Sequence, residues 1–257
     1  MANNLAIGKG ELWFAPFKTG TQTPDGFYFV GNCPEITLNR EADLLPHFDS
    51  TKGFRRKDEE ITIESRMTGS IVCDDVRPQT AALFLMGQEV TLTVASATGL
   101  TTTIVGARKG RTYQVGETAS QPSGARQIAS VVVHLTATPA TVYVLGTDYT
   151  VDLDLGLVTI LPGGSITENA NLDIDYNQAV HTRQQVIASD NEAQGAMKYI
   201  SYNPIGQKLD YFMPWVKVRP NGDISLISEE WMTIPLNIEA LYKGDLSLCY
   251  LDGRPLI

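Results

Sequence analysis

Residues 61–73 read ITIESRMTGSIVC, and the period of this stretch decides the fold. Apolar and polar side chains alternate, which puts Ile61, Ile63 and Ser65 on one face. Successive side chains on a strand point to opposite faces, whereas a helix repeats its apolar positions every three to four residues. Period two therefore predicts an extended strand. The same period recurs to either side, in Glu11–Phe17, Phe27–Val30 and Pro34–Asn39, then in Val90–Val94, Thr101–Val105 and Ser130–Leu135. It continues through Tyr149–Asp152, Leu157–Leu161, Asn171–Tyr176, Arg183–Ala188, Ala196–Tyr202, Lys208–Val218 and Trp231–Leu241. Gly, Pro, Asn or Asp bounds each segment, the punctuation of an antiparallel β protein.

One segment departs from this pattern. Asp74-Asp75 precede Val76-Arg77-Pro78, an apolar run Ala81–Met86 follows, and Gly87 ends it. Acidic residues and an early proline suit a helix N-terminus, and glycine suits the position after its end. The pattern predicts one flanking helix over about 76–87, roughly three turns, packed on a sheet. Residues 40–60, READLLPHFDSTKGFRRKDEE, read as a long charged loop, and loops beyond about 12–15 residues are uncommon unless they have a job. Ala95–Gln127 is a softer stretch rich in Thr, Ser and Gly, and about 95–180 as a whole reads as an elaborated or inserted β region within a single domain. Its stretch Tyr143–Tyr176 forms a compact meander with turns near Gly146, Asp154–Gly156 and Gly163-Gly164.

The chain has 257 residues, with 20 Lys+Arg against 29 Asp+Glu, a net charge of −9. That balance lacks the clustered cations of a phosphate-binding nucleic-acid reader. Hydrophobic residues at 43% suffice for a core, and charged residues at 19% leave surface free to be covered. The N-terminal MANNLAIGKGELWF has no apolar signal-peptide core, and no apolar run approaches the ~20 residues that span a bilayer. The expectation is a cytosolically made chain without a membrane anchor. Cys33, Cys73 and Cys249 are odd in number and far apart, with no CxxC, which favours incidental thiols over a zinc ribbon or disulfide framework.

Enzyme signatures are missing. His47, His134 and His181 stand in no HxxxH or HExxH spacing, and no GxSxG, GxxxxGK[ST] or GxGxxG occurs. His134, in SVVVHL, reads as a strand position. The neighbouring carboxylates Glu59-Glu60, Asp74-Asp75 and Glu229-Glu230 would point apart on strands, so they do not converge on a substrate atom. Asp152-Leu-Asp154-Leu-Gly156 lacks the further ligands of a calcium loop and reads as a β-turn. No catalytic residue, metal ligand or cofactor is expected. The 40–60 segment instead mixes charges with Leu44, Leu45, Phe48 and Phe54. Apolar anchors ringed by alternating charge build protein–protein contacts, although a loop folded back on its own domain would need the same residues.

At this segment the sequence resembles the major tail tube proteins of long-tailed, siphovirus-type bacteriophages. The resemblance is carried by Asn39-Arg40-Glu41, by Leu44 through Gly53 (LLPHFDSTKG), by the charged run Arg55–Glu60, and by Gly69-Ser70-Ile71-Val72 before the helix. It continues in Gly146–Asp152, Gly156, Leu172–Tyr176 and Pro220–Ser228 leading to Trp231. It implies an antiparallel β-sandwich or barrel subunit with one flanking helix, and no enzymatic activity. Six subunits would join their sheets into a ring, and rings would stack into a hollow tube through which DNA is ejected. The long loop would be the inter-ring arm, with Leu44, Leu45, His47, Phe48, Phe54, Arg55 and Arg56 as contact residues. Implied partners are further copies of the chain in stacked homohexamers, a tape-measure protein, and tail-terminator and tail-tip proteins. Viral DNA would pass without sequence-specific binding, and the site of action would be the virion. Two alternatives stay open: another tail ring component (terminator or baseplate hub), and a carbohydrate-binding β-sandwich module with exposed aromatic platforms. Trp13, Trp215 and Trp231 stand in alternating contexts that suit burial.

Overall fold

The computed structural model describes residues 5–51 and 53–254 and is mainly β, with antiparallel sheets and a single helix. Its elements are β1 (Gly10–Pro16), β2 (Tyr28–Phe29), β3 (Glu35–Asp49), β4 (Arg56–Cys73), α1 (Pro78–Phe84), β5 (Gln88–Val94) and β6 (Ala97–Ala107). Then follow β7 (Thr112–Gln114), β8 (Ile128–Leu135), β9 (Thr138–Val142), β10 (Tyr149–Asp152), β11 (Leu157–Ile160) and β12 (Ala170–Gln178). The last are β13 (His181–Ile187), β14 (Ala193–Ser201), β15 (Leu209–Pro220), β16 (Ile234–Ala240) and β17 (Tyr250–Gly253). The chain divides into two compact units: Met1–Val90 with Gln184–Ile257, and Thr91–Arg183 between them. It leaves the first unit in β5 and returns in β13, which pair as a two-stranded ribbon.

The first unit is one sheet in the order β2-β1-β14-β15-β16-β4-β3, with β17 pairing β15. Alternation sets its core: Ile234, Leu236, Ile238 and Ala240 of β16 are buried on one face, with Leu12, Phe14, Met197, Val216 and Ile71 from neighbouring strands. The helix packs on β15 and β16 through Ala82 and Leu83, and the buried Thr80 hydroxyl donates to the Val30 carbonyl at 2.8 Å. It spans two turns, fewer than its sequence pattern indicates. Asp75 pairs with Arg77 instead of capping, and Arg77 is the N-cap, its side chain making no capping bond. At the other end, Met86 takes the left-handed conformation (φ 48°), while its N–H bonds Leu83 and that of Gly87 bonds Ala82. This is a Schellman closure with methionine where glycine is usual. Gly87 serves another purpose: a Cβ there would stand 2.0 Å from the Ile187 carbonyl oxygen.

The second unit packs a four-stranded sheet, β6-β12-β8-β9, with a three-stranded one, β10-β11-β7. Both contribute to one core: Ile104, Val133, Leu172 and Ile174 from the first sheet, and Val158, Ile160 and Tyr149 from the second. Asp152-Leu-Asp154-Leu-Gly156 is the β10–β11 turn, closed by the Leu155 N–H donating to Asp152 Oδ1 at 2.9 Å. Gly156 has φ +67°, and a Cβ on it would lie 2.2 Å from the Ala125 carbonyl oxygen, so only glycine fits.

The largest departure from the sequence-based reading is at residues 40–60. They form a hairpin, not a loop: β3 and β4 pair from Glu35↔Val72 to Asp49↔Arg56. β16 accompanies β4 no further than Met67, so beyond it the two strands run on as a ribbon. At about 3.3 Å per residue, the eleven steps from Met67 to Arg56 carry it roughly 35 Å. Two bulges break the pairing, leaving Ile63 and Asp58 without a direct partner. The alternation read across Ile61, Ile63 and Ser65 does not bury one face here, since Ile61 and Ile63 are both exposed.

Candidate functional site: an exposed β-arm

The ribbon presents its apolar residues to solvent. Leu45 is 54% exposed, and its cross-strand partner Ile61 is 53% exposed. Leu44, Ile63 and Phe54 are exposed as well, and only Phe48 of the expected anchors is half-buried. Cross-strand polar pairs hold the ribbon together. Glu41 accepts from Arg66 Nε at 2.8 Å, Arg40 donates to the Ser65 hydroxyl at 3.2 Å, and His47 Nδ1 donates to Asp58 Oδ1 at 2.6 Å. That bond from His47 holds the Asp58 carboxyl below its ordinary range. Asp43 stands opposite Glu64, a like-charge pair that works against the ribbon.

The tip is organised by an Asx-type turn, in which Asp49 Oδ1 accepts from both the N–H and the hydroxyl of Thr51 at 2.8 and 2.7 Å. These bonds draw the Asp49 carboxyl down. The Arg55 guanidinium lies over the Phe48 ring at 4.5 Å, and that of Arg56 over Phe54 at 4.6 Å. Among the described residues neither arginine has a carboxylate partner. Lys52 belongs to the same tip and lies outside the described residues. The structure thus gathers Leu44, Leu45, His47, Phe48, Phe54, Arg55 and Arg56 on the outer half of one ribbon, and adds Ile61 and Ile63 from β4. β3 is the outermost strand of its sheet, and Pro46, which has no N–H to offer, interrupts its open edge.

A second exposed surface escapes the sequence reading. The β15–β16 connection, residues 221–233, leaves Leu226, Ile227 and Trp231 at 81, 97 and 92% exposure. Trp231 therefore lies outside β16 and in solvent, contrary to the expectation of burial, while Trp13 and Trp215 are half-buried on strands. The signal was the pair Leu226-Ile227 between polar neighbours, which resembles a strand until the turns around it are seen. The connection is anchored at Ile224, which packs on the core, and its Ser228 hydroxyl bridges to Glu230.

A groove of about 930 Å³ on the first unit is lined by Leu12, Met197, Tyr199 and Met213, with Lys9 and Glu35 as its charged members. Cys33 and Cys73, forty residues apart in sequence, are brought side by side as free thiols. The contact with Cys33 and burial push the Cys73 thiol up. His134 is on β8, bonded to Asp175 at 3.0 Å. Among the described residues no group of three or more His, Cys, Asp or Glu is arranged to hold a metal ion. Nor is any helix among them long and apolar enough to cross a membrane.

No curated protein matches the chain. A sequence family does, over residues 5–245, a span that takes in the arm, the helix, the inserted unit and the exposed 221–233 connection. The chain belongs to this family, described as "Protein of unknown function UCP028589".

Proposed function

We propose that this protein is the repeating subunit of a phage tail tube, assembling as hexameric rings that stack into a hollow conduit for the genome. The observation that carries this reading is the arm. A two-stranded ribbon is marginal by itself in water, and this one exposes leucine, isoleucine and phenylalanine side chains over roughly its outer 25 Å. Such a ribbon gains stability when another molecule covers it. The outer edge of β3 supports the same reading, because joining sheets across subunits satisfies open edges that a monomer must otherwise blunt. A net charge of −9 suits a lumen that DNA traverses without adhering. Partners in this reading are further copies, a tape-measure protein and the proteins that begin and terminate the tail, and the location is the virion.

The carbohydrate-binding alternative would use exposed Trp231 as its platform. Its neighbours Leu226 and Ile227 are aliphatic, which fits a protein surface better than a sugar with its hydroxyl groups. Negative-stain electron microscopy of the concentrated protein, alone and with a tail-tip complex as nucleus, tests the tube reading. Hollow tubes of stacked rings are expected, and deletion of Asp43–Asp58 leaves a folded protein that no longer extends them. Tubes that still grow without the arm remove its stacking role. A wild-type chain that builds no tube from a supplied nucleus removes the reading itself.

A further inference from the structure

The arm and the 221–233 connection leave the first unit's sheet at opposite ends. β16 runs antiparallel to β4, with Ile234 beside Cys73 and Ala240 beside Met67. The connection that precedes Ile234 therefore projects from the Cys73 end, and the arm projects beyond Met67 at the other. Roughly 55 Å of β4 separates Cys73 from the arm tip at Arg56, so one chain's arm does not reach its own connection.

The two surfaces also match in charge and character. Residues 50–57, STKGFRRK, carry four cations and no acid on a chain whose net charge is −9. Acids flank the stretch at Asp49 and Asp58–Glu60, and Lys57 pairs with Glu60, which leaves Arg55 and Arg56 as the tip's arginines without a carboxylate partner among the described residues. Residues 221–233, NGDISLISEEWMT, carry Asp223, Glu229 and Glu230 and no cation. Among the described residues none of these three carboxylates has a basic partner. Both surfaces are apolar at the centre, Phe54 on the tip and Leu226, Ile227 and Trp231 on the connection. An indole is also the preferred ring for an arginine to cover. We propose that the 221–233 connection is the seat for the arm tip of a second copy of this chain. Arg55 and Arg56 face Asp223, Glu229 and Glu230, and Phe54 packs on Leu226, Ile227 and Trp231. A donor at one end and an acceptor at the other make a heterologous contact, and one that does not close on itself propagates. The inference rests on the self-assembly part of the tube reading and names the surface that receives the arm.

The test places the photo-cross-linker p-benzoylphenylalanine at position 54 in the full chain, under the conditions used for tube growth. Cross-links from position 54 to residues 223–231 of another copy are expected. Cross-links elsewhere, or none at assembling concentration, overturn the proposal. A charge swap gives a second readout. Arg55→Glu with Arg56→Glu raises the concentration needed for assembly about tenfold or more, and adding Glu229→Arg with Glu230→Arg restores it. All four side chains are exposed, so circular dichroism and Tm stay unchanged, and a swap that fails to restore assembly counts against the contact. The two readings fail separately. Tubes whose cross-links map elsewhere sink the seat and leave the tube, whereas links to 223–231 in dimers or closed rings sink the tube and leave the seat.

Discussion

Asp148 shows how one side chain can hold a turn. It is buried, and its carboxylate accepts the N–H groups of Val144 and Ser165 at 2.8 and 2.6 Å and the Ser165 hydroxyl at 2.9 Å. The bonds from the Val144 and Ser165 backbone hold its carboxyl below the usual range. A folded-state pKa below the unfolded one contributes stability that is present above the unfolded value, near 4, and lost as pH falls through the folded one. Asp148→Ala should therefore cost roughly 2–4 kcal/mol at neutral pH, and less at pH 2–3, in thermal unfolding followed by circular dichroism. Asp148 stands in the Gly146–Asp152 motif, yet composition there speaks only of a turn. That its carboxylate reaches seventeen residues forward to Ser165 is a tertiary fact. The thiols give a second residue-scale prediction. Cys33 is half-buried and borders the groove, while Cys73 is fully buried with its thiol held protonated. Only thiolates react, so iodoacetamide should label Cys33 well before Cys73, read by peptide mass spectrometry. Equal labelling rates would mean that the strand ends around Cys73 open readily.

Among the elements, the arm is where sequence reading went furthest astray, and the reason is physical. Strand periodicity in a sequence records burial of one face. A ribbon with both faces in water leaves no such record, and its charges then look like a loop. Its bulges at Asp58 and Ile63 erase what alternation remained. The apolar residues of the ribbon were legible nonetheless, because leucine and phenylalanine among charges are conspicuous in any conformation. Leu45 is exposed, and half-buried Phe48 lies out on the arm, outside the core cluster, so Leu45→Ala with Phe48→Ala should shift stability by less than about 1 kcal/mol. The same pair should weaken ring stacking by roughly 2–4 kcal/mol per contact, measured from the critical concentration for tube growth. A large fall in Tm with unchanged assembly would instead assign both residues to the subunit's own packing.

On the scale of the whole molecule, each unit has a core of its own, and all three tryptophans fall in the first. Trp fluorescence therefore follows unfolding of residues 1–90 with 184–257, while far-UV circular dichroism follows both units. Two separate cores predict transitions that do not coincide in urea, with Asp148→Ala displacing only the one that fluorescence does not follow. Residues 91–183 expressed alone should unfold cooperatively. Superimposable transitions by both probes would show that the units fold as one.

Sequence alone determined the mainly β class and most strand positions, because alternation and turn residues are local and each buried strand carries them. It also located the helix found among the described residues and the apolar residues that the ribbon exposes. β7, β9 and β17 stayed hidden, being short or without buried alternation. What only the tertiary structure decided is where segments remote in the chain meet or part. It set Cys33 against Cys73, split the chain into two cores and turned a charged stretch into a ribbon. It also sent that ribbon and the Leu226–Trp231 connection out of opposite ends of one sheet. Strand register and strand order depend on pairings between distant residues, and no local pattern encodes them.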